Sequence, residues 1–271
     1  MSFWITRDDC QGLNYLRRAD FLAQKMIESF PELEGKEVEE VRHWLHSTRI
    51  IEWSWAFVAV NEIALLSSDP VYVLDIGCDP IFAGILLTIP NVHVTMHRTW
   101  VDADHFGFFQ FGNERVTPEK FFEKYKDRVR MELVSPHEEV CSPLGSYTEV
   151  FDIVTNISVC EHLPGDMYKG WAEWSWSRLK EDGKYLITFD WLTGEGFEVD
   201  GHKQDLTMQN KPMPELMRGK PGPWDEQLPE GTPFEGNFYV TSDMERGEKS
   251  YHQFYVWGEE MTKEGAACLQ C

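Results

Sequence analysis

The chain has 271 residues, 42% of them hydrophobic, and 46 acidic residues against 25 basic ones give it a formal net charge of −21 at pH 7. This length and apolar content suit a large folded domain and argue against global disorder. Proteins that bind nucleic acids must neutralise phosphates, so a surface this acidic disfavours a DNA or RNA substrate.

A membrane span is not expected either. The longest apolar candidate, 50–66, is interrupted by Glu52, Asn61 and Glu62, and a span needs about 18 consecutive apolar residues. The first ten residues lack the apolar core of a signal peptide. Six scattered cysteines are typical of reduced thiols. We therefore expect a cytoplasmic protein.

Residues 1–69 are predicted to form a helical N-terminal cap. Apolar residues from Val41 to Ile63, with Val58 among them, recur at steps of three and four, which predicts one amphipathic helical face. Asp69-Pro70 then ends the helical pattern.

Residues 70–271 are predicted to form an α/β domain with a Rossmann-like, mostly parallel sheet. Short apolar strands alternate with helices, which favours parallel strands joined by crossover helices. A C-terminal antiparallel hairpin closes the pattern, and loop insertions interrupt it at 100–115 and 192–235. The predicted strands are 71–76, 92–97, 129–134, 150–157 and 184–190, and the predicted helices are 80–89, 117–127 and 164–180.

The first predicted strand leads into a turn that suits a ligand site. In VYVLDIGCDPIFAGILL, which starts at Val71, the strand ends at Asp75, a turn follows at Gly77, and a helix begins near Pro80. A ligand in such a fold sits beyond the carboxyl end of this strand. A side chain at Gly77 would obstruct it, so we expect Gly77→Val to abolish binding while leaving the fold near native.

Two later segments strengthen this interpretation. FDIVTNISVCEHLP at 151–164 is a strand that runs into Ser158 and the pair Glu161-His162. SRLKEDGKYLITFDW at 177–191 contains a predicted tight turn at Gly183 and then a strand. Together with the first motif, these segments resemble the class I S-adenosylmethionine (SAM) dependent methyltransferases.

The resemblance implies a cofactor site at the carboxyl ends of the first four strands. The second strand normally ends in a carboxylate that holds the ribose. Here either His97 takes that role, or the insertion folds Asp102 or Asp104 back into place. The cofactor-binding residues implied are Asp75, Gly77, Cys78, His97, Ser135 and Ser158.

The resemblance also implies a place for the acceptor. His162 could serve as general base, because its unperturbed pKa lies near neutrality, with Glu161 orienting the imidazole; alternatively the pair caps the following helix. Asp190 and Trp191, at the end of the fifth strand, could contact substrate or merely end the strand. The implied activity is methyl transfer from SAM to a small-molecule or sugar acceptor, with no metal, and the oligomeric state is not predicted.

Two other functions fit parts of the sequence. The first is a non-catalytic binding or scaffold protein of the same fold with a drifted cofactor pocket. The second is a glycosyltransferase, because Val101-Asp102-Ala103-Asp104 matches the apolar-DxD pattern whose carboxylates hold a divalent cation against a diphosphate.

Overall fold

A computed structural model describes residues 2–77, 80–98, 109–111, 114–116, 119–133, 150–159, 174–193, 197–199, 202–204, 230–232, 234–237 and 251–262. Five α-helices lie in these ranges: α1 (Gly12–Ser29), α2 (Val38–Arg42), α3 (Ser47–Leu66), α4 (Pro80–Leu87) and α5 (Glu119–Tyr125). Residues 174–177 form a further helical turn. None of the described helices is both long and apolar enough to cross a membrane.

The strands form one large sheet and two small hairpins. The hairpins pair β4 (Phe109–Phe111) with β5 (Glu114–Val116) and β9 (Phe197–Val199) with β10 (His202–Gln204). The other strands are β1 (Ser2–Ile5), β2 (Val71–Ile76), β3 (Val92–Arg98), β6 (Val129–Leu133), β7 (Phe151–Ile157), β8 (Leu179–Thr193), β11 (Phe234–Asn237) and β12 (Tyr251–Thr262).

The large sheet has the order β1-β12-β8-β7-β2-β3-β6. The pairs from β8 to β6 are parallel, whereas β12 runs antiparallel to β8. After β2 the chain builds outward through β3 and β6 and then returns to the other side of β2 as β7. The topological switch point, where open α/β sheets bind ligands, therefore lies between β2 and β7. The predicted Rossmann-like α/β fold is confirmed.

The outer edge of β12 is shared by strands from the two ends of the chain. Ser2–Ile5 pairs with residues 256–259, and Phe234–Asn237 pairs with residues 251–254, both antiparallel. The Arg7 N–H also donates to the Thr232 carbonyl at 2.9 Å. The helical prediction for the first residues is therefore wrong at Ser2–Ile5, because β12 offers an open edge there, which a local sequence pattern does not reveal.

Helix α3 packs its apolar side against the sheet in a rotation that differs from the predicted one. Trp53, Ala56 and Val60 are buried, whereas Val58, which was predicted to belong to the apolar face, is 52% exposed. Helix α1 covers a second side of α3, so burial extends around much of the helix. Counting apolar periodicity assumes that a helix buries a single face. For α3 this assumption placed the centre of the buried face at the wrong residues.

Strand β8 begins earlier than predicted. The strand starts at Leu179, and a register irregularity against β7 lies between Phe151 and Ile153. Gly183 does not adopt positive φ, but β8 advances five positions, from Leu179 to Lys184, while β7 advances two, so the chain folds back at the predicted turn without a left-handed glycine. A Cβ at Gly183 would lie 2.9 Å from Leu179 Cδ2 and 3.1 Å from the Asp152 carbonyl oxygen. The contact with Leu179, four positions earlier, shows that the chain is compact at this turn, and the lack of room for a Cβ accounts for the glycine.

Candidate active site at the carboxyl edge

The end of β2 supplies a buried carboxylate and a left-handed glycine. Asp75 is 2% exposed, and its Oδ1 accepts a hydrogen bond of 2.7 Å from the Thr155 hydroxyl on β7. Gly77 follows with φ +68°, and its N–H donates to the His97 carbonyl at 2.7 Å. These contacts tie the end of β2 to both neighbouring strands.

Gly77 is also required by the packing of Val159. A Cβ at residue 77 would lie 2.5 Å from Val159 Cγ1, and Val159 is itself buried. A side chain there would meet both a disfavoured backbone conformation and a steric overlap. The structure therefore changes the expectation that Gly77→Val leaves the fold near native, because this substitution disturbs the protein as well as any ligand.

His97, at the end of β3, lies inside the protein. Its side chain is fully buried, and its ring centroid is 4.9 Å from that of Trp174. Burial lowers the pKa of His97 from 6.5 to about 4, because the charged imidazolium loses its hydration. The imidazole is therefore neutral at physiological pH, and its carbonyl is the group that contacts Gly77.

Ser158, immediately after β7, has an unusual backbone conformation. It adopts φ +49°, which is uncommon for a residue with a side chain. Its N–H donates to the Thr188 carbonyl on β8 at 2.9 Å, and its hydroxyl donates to Glu52 Oε1 at 2.7 Å. The turn that leaves β7 is therefore held by one strand and by one helix.

Glu52 on α3 is the residue at this edge that sequence reasoning missed. It is completely buried, and its Oε1 accepts hydrogen bonds from the hydroxyls of Ser158 and Thr188. Its Oε2 accepts a charged hydrogen bond of 2.5 Å from Arg49. A carboxylate interrupting an apolar helix was the available signal, because Glu is almost never fully buried unless it is paired.

Asp190 lies two residues beyond Thr188 on β8. Burial is the main cause that raises its pKa from 3.8 to about 7; nearby Arg49 opposes this shift, and nearby Glu52 adds to it. Asp190 therefore changes protonation state near neutral pH, where a group that accepts protons in catalysis is most effective.

The structure thus brings together part of the predicted site. Asp75, Gly77, His97 and Ser158 follow or end adjacent strands, and Asp190 lies one strand further along. Trp191 belongs to β8, but its side chain is not described. Cys78, Asp102, Asp104, Ser135, Glu161 and His162 lie outside the described residues. Within the described ranges, no group of three or more His, Cys, Asp or Glu side chains could hold a metal ion.

Comparison with known proteins finds likenesses among solved structures alone. No protein-family model matches the chain, and no curated protein matches it. The chain is similar to Burkholderia thailandensis 1,6-didemethyltoxoflavin-N1-methyltransferase, solved with 1,6-didemethyltoxoflavin and S-adenosylhomocysteine (SAH), at 16% identity and a TM-score of 0.42 over 91% of this chain and 90% of that one.

Two further solved structures show weaker similarity. SAH-bound Podospora anserina methyltransferase PaMTH1 is 15% identical, with a TM-score of 0.37 over 62% of this chain and 61% of that one. The N-methyltransferase NodS from Bradyrhizobium japonicum WM9, in complex with SAH, is 13% identical, with a TM-score of 0.34 over 63% and 72%. Identities and TM-scores this low assign no ligand and no activity to the present chain.

Proposed function

We propose that this protein transfers a methyl group from SAM to a small-molecule or sugar acceptor. The observation that carries the proposal is the pair of left-handed residues at the switch point. Gly77 follows β2 with φ +68° and Ser158 follows β7 with φ +49°. The backbone therefore turns at the end of both strands, where open α/β sheets bind ligands. The sequence motifs that resemble methyltransferases contain these same two residues.

The cofactor would lie against the Gly77 turn. Asp75, Gly77 and Ser158 at the switch point are the proposed contacts, together with His97 and the sequence-based candidates Cys78 and Ser135. Gly77 suits this role because its φ of +68° turns the backbone away at the end of β2, with Val159 filling only the side that a Cβ would occupy. His97, whose side chain is fully buried, supports the turn through its backbone carbonyl, which accepts a hydrogen bond from the Gly77 N–H. When bound, SAM supplies a methyl group on a positively charged sulfur.

The acceptor would lie on the β8 side, where Asp190 and Trp191 are the proposed contacts. An acceptor hydroxyl or ammonium must lose a proton as its oxygen or nitrogen bonds to the methyl carbon. His162, oriented by Glu161, is the sequence-based candidate for taking that proton. The protein's own contribution would be to orient the acceptor in line with the methyl group and to exclude water.

Calorimetric titration with SAM and with SAH tests this proposal. We expect both ligands to bind the parent, and we expect Asp75→Asn to weaken SAH binding about tenfold, as is typical of losing a charged hydrogen bond. The matched control is Asp69→Asn, at an exposed site beside the other end of β2, which should leave the affinity unchanged. A parent that binds neither ligand would remove the proposal.

A non-catalytic protein of this fold is the second candidate, and two observations favour it. The side chain of Val159 packs over Gly77, and Trp174 packs against His97, so apolar groups cover two positions that a cofactor would approach. This candidate predicts no heat of binding with SAM or SAH in the same titration. The result therefore separates the two functions directly.

A further inference from the structure

Glu52 connects the N-terminal helices to the candidate active site. It lies in the second turn of α3 and is 106 positions from Ser158 and 136 from Thr188 in the chain. Through these two hydroxyls it reaches the end of β7 and the neighbouring strand β8. Arg49, one turn earlier on the same helix, pairs with its second oxygen at 2.5 Å. One buried carboxylate therefore links α3, the end of β7 and β8 next to the switch point.

The hydrogen bond between Glu52 and Ser158 stabilises an unfavourable backbone conformation at Ser158. A non-glycine residue in the left-handed region is strained, and such strain persists only where surrounding contacts determine the conformation. Two contacts do so here: the Ser158 N–H bonds to the Thr188 carbonyl, and its hydroxyl bonds to Glu52. The second contact orients the side chain and ties the turn to α3. It also fixes where Val159, the residue packed over Gly77, enters the site.

We propose that Glu52 is a positioning residue of the methyl-transfer site, which holds the Ser158 turn in the conformation that admits the cofactor beside Gly77. This inference rests on the proposed function. Glu52 acts through Ser158 and Val159 and does not itself contact the cofactor. Its removal should therefore change cofactor affinity through the turn, in addition to any change in the stability of the fold.

A double-mutant cycle between residues 52 and 158 tests the inference. The variants are Glu52→Gln, Ser158→Gly and the combination of both, each measured for SAH affinity by calorimetry and for unfolding in urea. Glutamine keeps the shape of residue 52 but presents an amide in place of one carboxylate oxygen. Glycine at residue 158 adopts positive φ without strain, so it needs no support from residue 52.

We expect Glu52→Gln to weaken SAH binding about tenfold in the parent, which corresponds to the strain of one left-handed residue. In the Ser158→Gly background the same change should weaken binding less than twofold. The unfolding transition should move to lower urea in both backgrounds, because the Arg49 contact is altered in both. If Glu52 had a purely structural role, its effect on SAH affinity would follow its effect on stability in both backgrounds.

Ser54→Ala is the matched control on the same helix. Ser54 is buried, and its hydroxyl bonds to the Ile50 carbonyl at 2.6 Å within α3, so Ser54→Ala changes a buried polar contact inside the helix and should leave SAH affinity unchanged. If Glu52→Gln weakens binding equally in both backgrounds, or not at all, the inference is overturned while the proposed function stands. A parent that binds neither SAM nor SAH overturns both.

Discussion

The two halves of the carboxyl edge are fixed by different forces. Around β2 and β3, the conformation depends on close packing: Val159 fills the space beside Gly77, and Trp174 covers His97. Around β7 and β8 it depends on a buried carboxylate, because Glu52 receives hydrogen bonds from both strands and from Arg49. The half around β2 and β3, called the packed half, should therefore respond to changes of side-chain shape. The half around β7 and β8, called the charged half, should respond to changes of charge.

Arg49→Met should give the largest loss of stability. It removes the cation beside completely buried Glu52, and leaving a buried charge uncompensated costs about 3–4 kcal/mol. Urea unfolding at pH 7 measures the loss. Lys184→Met is the matched control, because Lys184 pairs with Glu260 at 2.7 Å and both side chains are about a quarter exposed; it should cost about 0.5 kcal/mol. Equal losses would mean that the Glu52 pair is no more important than a surface pair.

Gly77→Val should cost slightly less, about 3 kcal/mol, from backbone strain and overpacking together. Gly35→Val provides the control, because Gly35 also has positive φ, at +85°, but no atom lies within 4 Å of its Cβ position. It should cost about 1–2 kcal/mol from strain alone. Adding Val159→Ala to Gly77→Val should recover part of the difference. If the two glycine variants unfold at the same urea concentration, Val159 does not restrict the turn.

The sequence predicted the packed half of the edge better than the charged half. Asp75 and Gly77 lie two positions apart in one motif, and strand alternation places their turn at the sheet edge. The Glu52 contacts join residues more than a hundred positions apart, and no local pattern contains that pairing. The same reason explains β1: Ser2–Ile5 pairs with β12 at the opposite end of the chain, and short-range periodicity carries no information about that edge.

The rotation of α3 shows a second limit. The apolar positions of α3 allow more than one face, because its buried residues include small and polar side chains as well as Trp53 and Val60. Contact with α1 on one side and the sheet on the other decides which residues are covered. The exposed position of Val58 therefore followed from tertiary packing, which the spacing of apolar residues could not specify.

His97→Phe should reveal how the packed half depends on pH. The pKa of His97 is about 4 in the folded protein against 6.5 as its usual value, so only the unfolded chain takes up a proton between these values. This group therefore makes stability fall as pH decreases below 6.5. Between pH 7 and pH 5 the variant should gain about 2 kcal/mol relative to the parent. A constant difference across this range would mean that His97 is not buried from water.

Asp190→Asn should show the opposite and smaller dependence in the charged half. The pKa of Asp190 is raised to about 7, so the folded protein binds a proton that the unfolded chain has released. This group makes stability fall as pH rises toward 7. The variant should gain about 1–2 kcal/mol on the parent between pH 5 and pH 8, a reduced value because Asp190 is partly exposed and water screens its charge. In the parent, the His97 and Asp190 contributions oppose each other between pH 5 and pH 6.5. Only the two variants, measured by urea unfolding across pH 5–8, separate them, and parallel curves for Asp190→Asn and the parent would contradict the raised pKa.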